Sequence, residues 1–282
     1  MVEVASSAKW PACGVWFDSD SWTEATTRDV KRRLDDTGVV ALDLEPIIPA
    51  ADHDDHGERA IETAVAIGAR HVLFTSRLAD LSATIDRFAI LCDVASGSGV
   101  TLVCEFLPIF PLRSFSMAND VVSRHPVDIA GILIDNLHLS RSGGTIDEVQ
   151  EIDAHRFPYL QIADAAARAP TEFGTLLDEA LNGRLLPGDG ALPITELLAA
   201  VPQVPLSFEV RSRALRDGFP DPVERARHLL RSAERVKALL PSSALVAGGY
   251  PLHRNVRSFD PLRKSERNSP RLRSSVDRAT VS

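Results

Sequence analysis

Short β-branched runs alternate with longer stretches of helical periodicity along the first 240 residues, and this alternation constrains the fold more than any other feature. Strands separated by helices build βα units on a parallel sheet. The runs predict seven strands: Ala12 to Phe17, Val39 to Ile48, His71 to Thr75, Thr101 to Leu107, Gly131 to Ile134, Tyr159 to Ala163 and Leu206 to Val210. Helices are predicted at Thr23 to Asp36, Gly57 to Ile67, Leu81 to Ser96, Ser114 to Ser123, Ile146 to Glu151, Glu172 to Ala180 and Ile194 to Ala200. The last one, Pro222 to Leu240, carries Val223, Ala226, Leu229, Leu230, Ala233 and Val236 at helical spacing and packs outside the sheet.

The expected class is α/β, a (βα)8 TIM-barrel type fold. Seven strands are one short of a closed barrel. The opening VEVASSAKWPACGVWFD reads as the last turns of a helix feeding a strand, so the first strand is expected to fall before Met1. Residues 1–240 form the barrel domain. Residues 241–282 differ in kind: they hold eight Lys or Arg against three Asp or Glu, whereas residues 1–240 hold 23 against 36. Rich in Arg, Ser and Pro, this basic tail has few residues that bury apolar surface and is expected to be disordered. It shows no aromatic stacking pattern and follows an acidic body, which argues against nucleic acid as a partner. No apolar run approaches the roughly 18 residues of a membrane span, and the N-terminus lacks the features of a signal peptide. Cys13, Cys92 and Cys104 make no disulfide framework, so the cytoplasm is the expected location.

Function is sought at the strand ends, where α/β folds place their ligands. In Ala130 to Thr145 an apolar run stops abruptly at Asp135, Asn136 and His138. An Asp at a strand end also caps helices, and a loop His is often merely solvated. Comparison with the other strands strengthens the site reading. Glu105, Asp135, Gln161 and Glu209 each lie two residues beyond a strand residue on one face, Val103, Leu133, Tyr159 and Ser207, so a single facing choice points all four into one barrel mouth. Unpaired buried carboxylates are costly, and a hard divalent cation bound by three carboxylates and an amide oxygen neutralises them. An oxygen-only set favours Mn²⁺ or Mg²⁺ over Zn²⁺.

The segments EFLP at 105–108, ILIDNLHLSRSGGT at 132–145, YLQIAD at 159–164, GRLLPGDGALP at 183–193 and LSFEV at 206–210 resemble the sugar phosphate isomerase/epimerase family, the xylose-isomerase-like TIM barrels. The resemblance covers roughly Pro11 to Leu240. It implies Glu105, Asp135, Gln161 and Glu209 as metal ligands, with His138 touching substrate. Many relatives that isomerise or epimerise sugars have His where this chain has Gln161. The Gln variant also occurs in 3-dehydroshikimate dehydratases, which leaves a lyase as the alternative.

The expected activity is a divalent-metal-dependent isomerase or epimerase of a sugar or sugar phosphate, working by proton transfer through a metal-stabilised enediolate. Glu105 and Glu209 approach from opposite walls, one to take the proton and the other to return it. His138 is a catalytic candidate that hydrogen-bonds a substrate hydroxyl or protonates it as a leaving group. Arg168, Arg211 and Arg213 are candidates for holding a phosphate or carboxylate of a polyol or keto-acid substrate, with solvated surface charge as the competing reading. PGDG at 187–190 is a turn by composition. The cluster DHDDHGE at 52–58 reads as a solvated loop, and Cys104 as packing. A barrel short of one strand exposes edges that invite a second copy, so a homo-oligomer is one expected outcome. A non-catalytic barrel remnant is the other class of reading.

Overall fold

The structure, a computed structural model, describes residues 1–201 and 204–238. The basic tail lies outside the described residues, as does the predicted helix end at Leu240. Seven parallel strands run in sequential order: β1 (Ala12–Trp16), β2 (Val40–Ile47), β3 (His71–Phe74), β4 (Thr101–Glu105), β5 (Ala130–Asp135), β6 (Leu160–Gln161) and β7 (Leu206–Ser207). Between them, in chain order, lie α2 (Glu24–Thr37), α3 (Gly57–Ile67), α4 (Leu81–Ala95), α5 (Phe115–Val122), the pair α6 (Asn136–Arg141) and α7 (Ile146–Gln150), and the pair α8 (Phe173–Asn182) and α9 (Ile194–Ala200). A helix α1 (Val2–Ala8) precedes β1, while α10 (Arg213–Gly218) and α11 (Pro222–Ala238) follow β7. Among the described residues the fold is a nearly closed TIM barrel lacking one strand.

Strand alternation sorts the core into two compartments. Leu42, Leu73, Val103, Leu133 and Tyr159, with Ala12 against them, form a separate apolar layer inside the barrel. The larger cluster, including Leu44, Phe74, Leu102, Cys104 and Ile132, fills the space between strands and helices. Val103, Leu133 and Tyr159 therefore lie inside, and the residues two positions on follow them to the mouth.

β1 and β7 share no ladder. The seam is crossed by side chains: the Trp10 ring lies 5.8 Å from Phe208 and donates Nε1–H to the Ala226 carbonyl at 3.0 Å. The Arg211 guanidinium stands 5.9 Å from the Trp16 ring, and Arg227 bonds the Ser7 carbonyl at 3.1 Å, tying α11 to α1.

Three elements differ from the periodicity. Asn136–Arg141, expected as loop, is a helix because Asp135 caps it, its Oδ1 accepting the amides of Leu137 at 2.8 Å and His138 at 3.2 Å. Arg213–Gly218 is a helix capped by the Ser212 hydroxyl. β7 stops at Ser207 instead of Val210, because Glu209 and Arg211 turn their backbones to the segment around Arg184.

At the barrel floor His71 lies 5.1 Å from the Tyr159 ring, and its buried Nδ1 has no hydrogen-bond partner among the described residues. Burial, with the charge of Arg70 adding, lowers its pKa to about 4 from 6.5. Between those values the unfolded chain binds a proton that the native chain refuses, so stability falls as pH is lowered through the window. In urea titrations from pH 6.5 down to about 4, the midpoint of the parent is expected to fall more steeply than that of His71→Gln. Equal slopes would show that His71 titrates normally.

Candidate active site at the barrel mouth

Glu105 and Asp135 are the last residues of β4 and β5, Gln161 ends β6 beside Asp135 in the ladder, and Glu209 lies two residues beyond β7. His138 is in the first turn of α6. The structure brings Glu105, Asp135 and His138 together: one ligand atom from each lies within 4.8 Å of the others, and His138 Nε2 is 4.0 Å from Glu105 Oε1. All three are buried, as is Gln161, whose Oε1 has no hydrogen-bond partner among the described residues.

The residue that ties the mouth together is Arg184, which sequence reasoning missed. It is 2% exposed. Its Nη1 donates to Asp135 Oδ2 at 2.5 Å and to the Glu209 carbonyl at 3.0 Å, and lies 3.3 Å from Glu209 Oε2. Nε bonds the Ala180 carbonyl at 3.0 Å. Nη2 stands 3.4 Å from His138 Nε2; a guanidinium only donates, so this network assigns the imidazole nitrogen as acceptor and the ring as neutral. Arg184 reaches the mouth because its segment is stitched on both sides, through bridges of Asp164 with Leu185 and of Gly183 with Ser212.

Asp164 fastens the loop that follows. Its carboxylate accepts the amides of Gly188, Gly190 and Leu192 at 2.9, 2.9 and 3.0 Å. A side chain at Gly190 would meet Asp164 Oδ1 and the Ala165 carbonyl at 2.4 Å. The PGDG turn is thus held by Asp164, and its glycine permits the close approach. A lone Arg in GRLLPGDG was the one trace of this arrangement in the sequence.

The electrostatics are uneven. Burial, reinforced by Glu209 and Asp135, pushes the Glu105 carboxyl well above the ordinary range. Burial acts the same way on Asp135, but the charge of Arg184 and the hydrogen bonds from Arg184 and the His138 amide outweigh it and hold its pKa low. Burial lowers His138, with Asp135 opposing. Arg211 is paired to Glu209, Nε to Oε1 at 2.8 Å. The other arginines stand apart: Arg168 is exposed on the loop after β6, and Arg213 pairs with Asp178 on α8 at 2.9 Å. In the 52–58 cluster His53 and His56 pair only with neighbouring Asp52 and Asp54, while Asp55 and Glu58 bind Arg87. Two further carboxylates missed from the sequence, Asp43 and Glu45, face the mouth from β2; alternation of acid with leucine in LDLEP was their signal.

The donor set fits a divalent cation. It offers carboxylate and amide oxygens, and the orphaned Gln161 Oε1 is a buried acceptor that needs a partner.

Residues 2–236 match the family described as xylose isomerase-like TIM barrel. The chain belongs to this family. Within the xylose isomerase-like family it is 23% identical, over 196 residues, to an inosose isomerase of Bacillus licheniformis, covering 63% of this chain and 68% of that relative. A xylose isomerase-like TIM barrel/4-hydroxyphenylpyruvate dioxygenase fusion protein shares the fold with a TM-score of 0.70 and 19% identity; the match covers 84% of this chain and spans 40% of that one. The IolI protein, solved with a zinc atom bound, gives a TM-score of 0.67 at 17% identity over 84% of this chain and 90% of its own. No helix among the described residues is long and apolar enough to cross a membrane.

Removing Arg184 leaves Asp135 buried without its counter-charge. Arg184→Met is expected to cost about 3–5 kcal/mol in urea unfolding, the usual consequence of breaking a buried pair from one side. Arg184→Lys, which keeps the charge and loses the fork, is expected to cost less. A loss below about 1 kcal/mol for the Met variant would show that Asp135 is compensated by other means.

Proposed function

We propose that this protein is a divalent-metal-dependent isomerase or epimerase acting on an uncharged polyol ketone. The observation that carries the reading is the buried set of Glu105, Asp135, His138 and Gln161 at the mouth, with Glu209 joined to Asp135 through Arg184. Glu105, Asp135, Gln161 and Glu209 would hold the metal. When bound, a divalent cation supplies Lewis acidity to the substrate carbonyl. The oxygen donors favour Mn²⁺ or Mg²⁺, while the zinc atom in IolI keeps Zn²⁺ among the ions to be assayed.

The protein's own groups divide the proton work. Glu209 is half-buried and anchored by Arg211 and Arg184, which suits a base that removes the proton from carbon. Glu105, held towards its protonated form by burial, returns it from the end of β4. His138 is neutral and reaches a substrate hydroxyl as a hydrogen-bonding group. Arg184 and Arg211 are both committed to carboxylates, which supports an uncharged substrate over a phosphate ester or keto acid. Arg211 then orients Glu209, and Arg168 is left to solvent. The dehydratase reading retains one support, Gln161 in place of His.

The test is interconversion of a panel of polyol ketones and ketoses in D₂O with each metal, read by NMR. Isomerisation or epimerisation puts solvent deuterium on the product carbon. Glu209→Gln is expected to lower kcat about 10²–10⁴-fold, the usual worth of a positioned acid or base, with metal binding, measured calorimetrically, largely kept. A product with new ultraviolet absorbance and loss of water would replace this reading with the lyase. Full turnover by Glu209→Gln would remove Glu209 from the proton transfer.

A further inference from the structure

The chemistry above uses the β4–β7 wall of the mouth, and the opposite wall carries polar groups that it leaves idle. Asp43 on β2 is 1% exposed; its Oδ2 accepts the Tyr159 hydroxyl, and its Oδ1 is buried with no partner among the described residues. Thr75 lies two residues beyond the interior Leu73, its amide bonded to the Ile47 carbonyl at the end of β2; it is 2% exposed, and its Oγ1 is buried with no partner among the described residues. Glu45, two residues after Asp43, converges on the same place. A β-carbon built on Gly14 of β1 would stand 2.5 Å from Glu45 Oε1 and 2.7 Å from Asp43 Oδ1. The bare Gly14 backbone therefore makes room for two carboxylates that aim at one spot.

These groups have no structural account. Tyr159 needs one oxygen of Asp43, and an apolar pair at 43 and 45 would continue the layer of Leu42 and Leu73 without the desolvation cost. The nearest cations, Arg184 and Arg211, are taken by Asp135 and Glu209. Burial pushes Asp43 up to about 6, with the Tyr159 hydrogen bond opposing and Glu209 adding, and pushes Glu45 well above its ordinary value, with Asp43 and Glu209 adding. Acceptors in excess call for a ligand rich in donors. A polyol offers several hydroxyls on adjacent carbons.

We propose that Asp43, Glu45 and Thr75 form a second subsite that holds hydroxyl groups of the polyol remote from the reacting carbon, with Gly14 providing the space. The inference rests on the polyol reading of the function. Tyr159 is a positioning residue, since it fixes Asp43 from the layer below. Substrate choice is then set by the β1–β3 wall: a ligand lacking hydroxyls there leaves buried carboxylate oxygens unmatched, which is a stronger rejection than a lost contact.

The experiment measures myo-inositol and D-sorbitol binding, one cyclic and one open-chain polyol, to the full chain by calorimetry in Mn²⁺. Mn²⁺ binding is followed separately by electron paramagnetic resonance. Glu45→Gln keeps the shape and weakens the acceptor; Gly14→Ala fills the space. Both are expected to weaken the better polyol about 3- to 10-fold, the worth of a hydrogen bond between neutral groups, with Mn²⁺ affinity unchanged and circular dichroism matching the parent. Should Gly14→Ala fail to fold, Glu45→Gln and Thr75→Val decide alone. Parental polyol affinity in the variants would overturn the subsite and leave the functional reading standing. Loss of Mn²⁺ binding in the variants would make the pair a cation site and overturn the proposal. A parent that binds Mn²⁺ and neither polyol would overturn both readings together.

Discussion

A single buried guanidinium governs the barrel mouth. Five carboxylates, Asp43, Glu45, Glu105, Asp135 and Glu209, face a space walled by strand ends, and water is excluded from most of it. Isolated ions there would be prohibitively costly. Arg184 ionises Asp135 and anchors Glu209 at once, and it leaves His138 neutral by offering it only a donor. The remaining acids are left short of compensation, so Glu105 and Glu45 are driven towards their protonated forms. One cation thereby holds Asp135 ionised while its neighbours Glu105 and Glu45 are driven the other way. That inequality is what acid and base roles require.

The two structural helpers of Arg184 show how the site depends on its surroundings. Asp164 holds the turn at 187–190 by backbone amides, and the bridges at Gly183 and Leu185 set the direction of the chain between them. These backbone bonds set where Arg184 starts, and its side chain then runs past the Ala180 carbonyl to Asp135.

Periodicity was enough to place the strands, because a parallel barrel buries both faces and leaves apolar runs bounded by turns. It also set the facing of Glu105, Asp135 and Gln161, since Val103, Leu133 and Tyr159 share the interior layer. What was not legible came from contacts distant in sequence. Arg184 lies 49 residues from Asp135 along the chain, and nothing local marks it. The helix after β5 was hidden because Asp135 does two things: its Oδ1 caps Asn136–Arg141 while Oδ2 serves the site. Of the two readings of that aspartate in the sequence, the cap is made by Oδ1, and it leaves Oδ2 free to meet Arg184 at the mouth. Asp43 and Glu45 were overlooked because β2 contains a register shift, which turns acids inward beside Leu42 where strict alternation would not.

The seam between β1 and β7 bears on the chemistry as well as on the fold. In a closed ladder the orientation of a strand-end carboxylate is fixed by backbone bonds on both sides. Glu209 lies past the end of such a ladder, because β7 pairs with β6 only as far as Ser207, and its carbonyl is held by Arg184 Nη1. Its direction is set instead by Arg211, which grips Oε1 and stands against the half-exposed Trp16 ring of β1. A carboxylate held by side chains has more angular freedom than one held by a ladder. Glu105 and Asp135, by contrast, end strands that are paired in the ladder. Trp16 and Arg211 thus join the closure of the barrel to the placement of the Glu209 carboxylate.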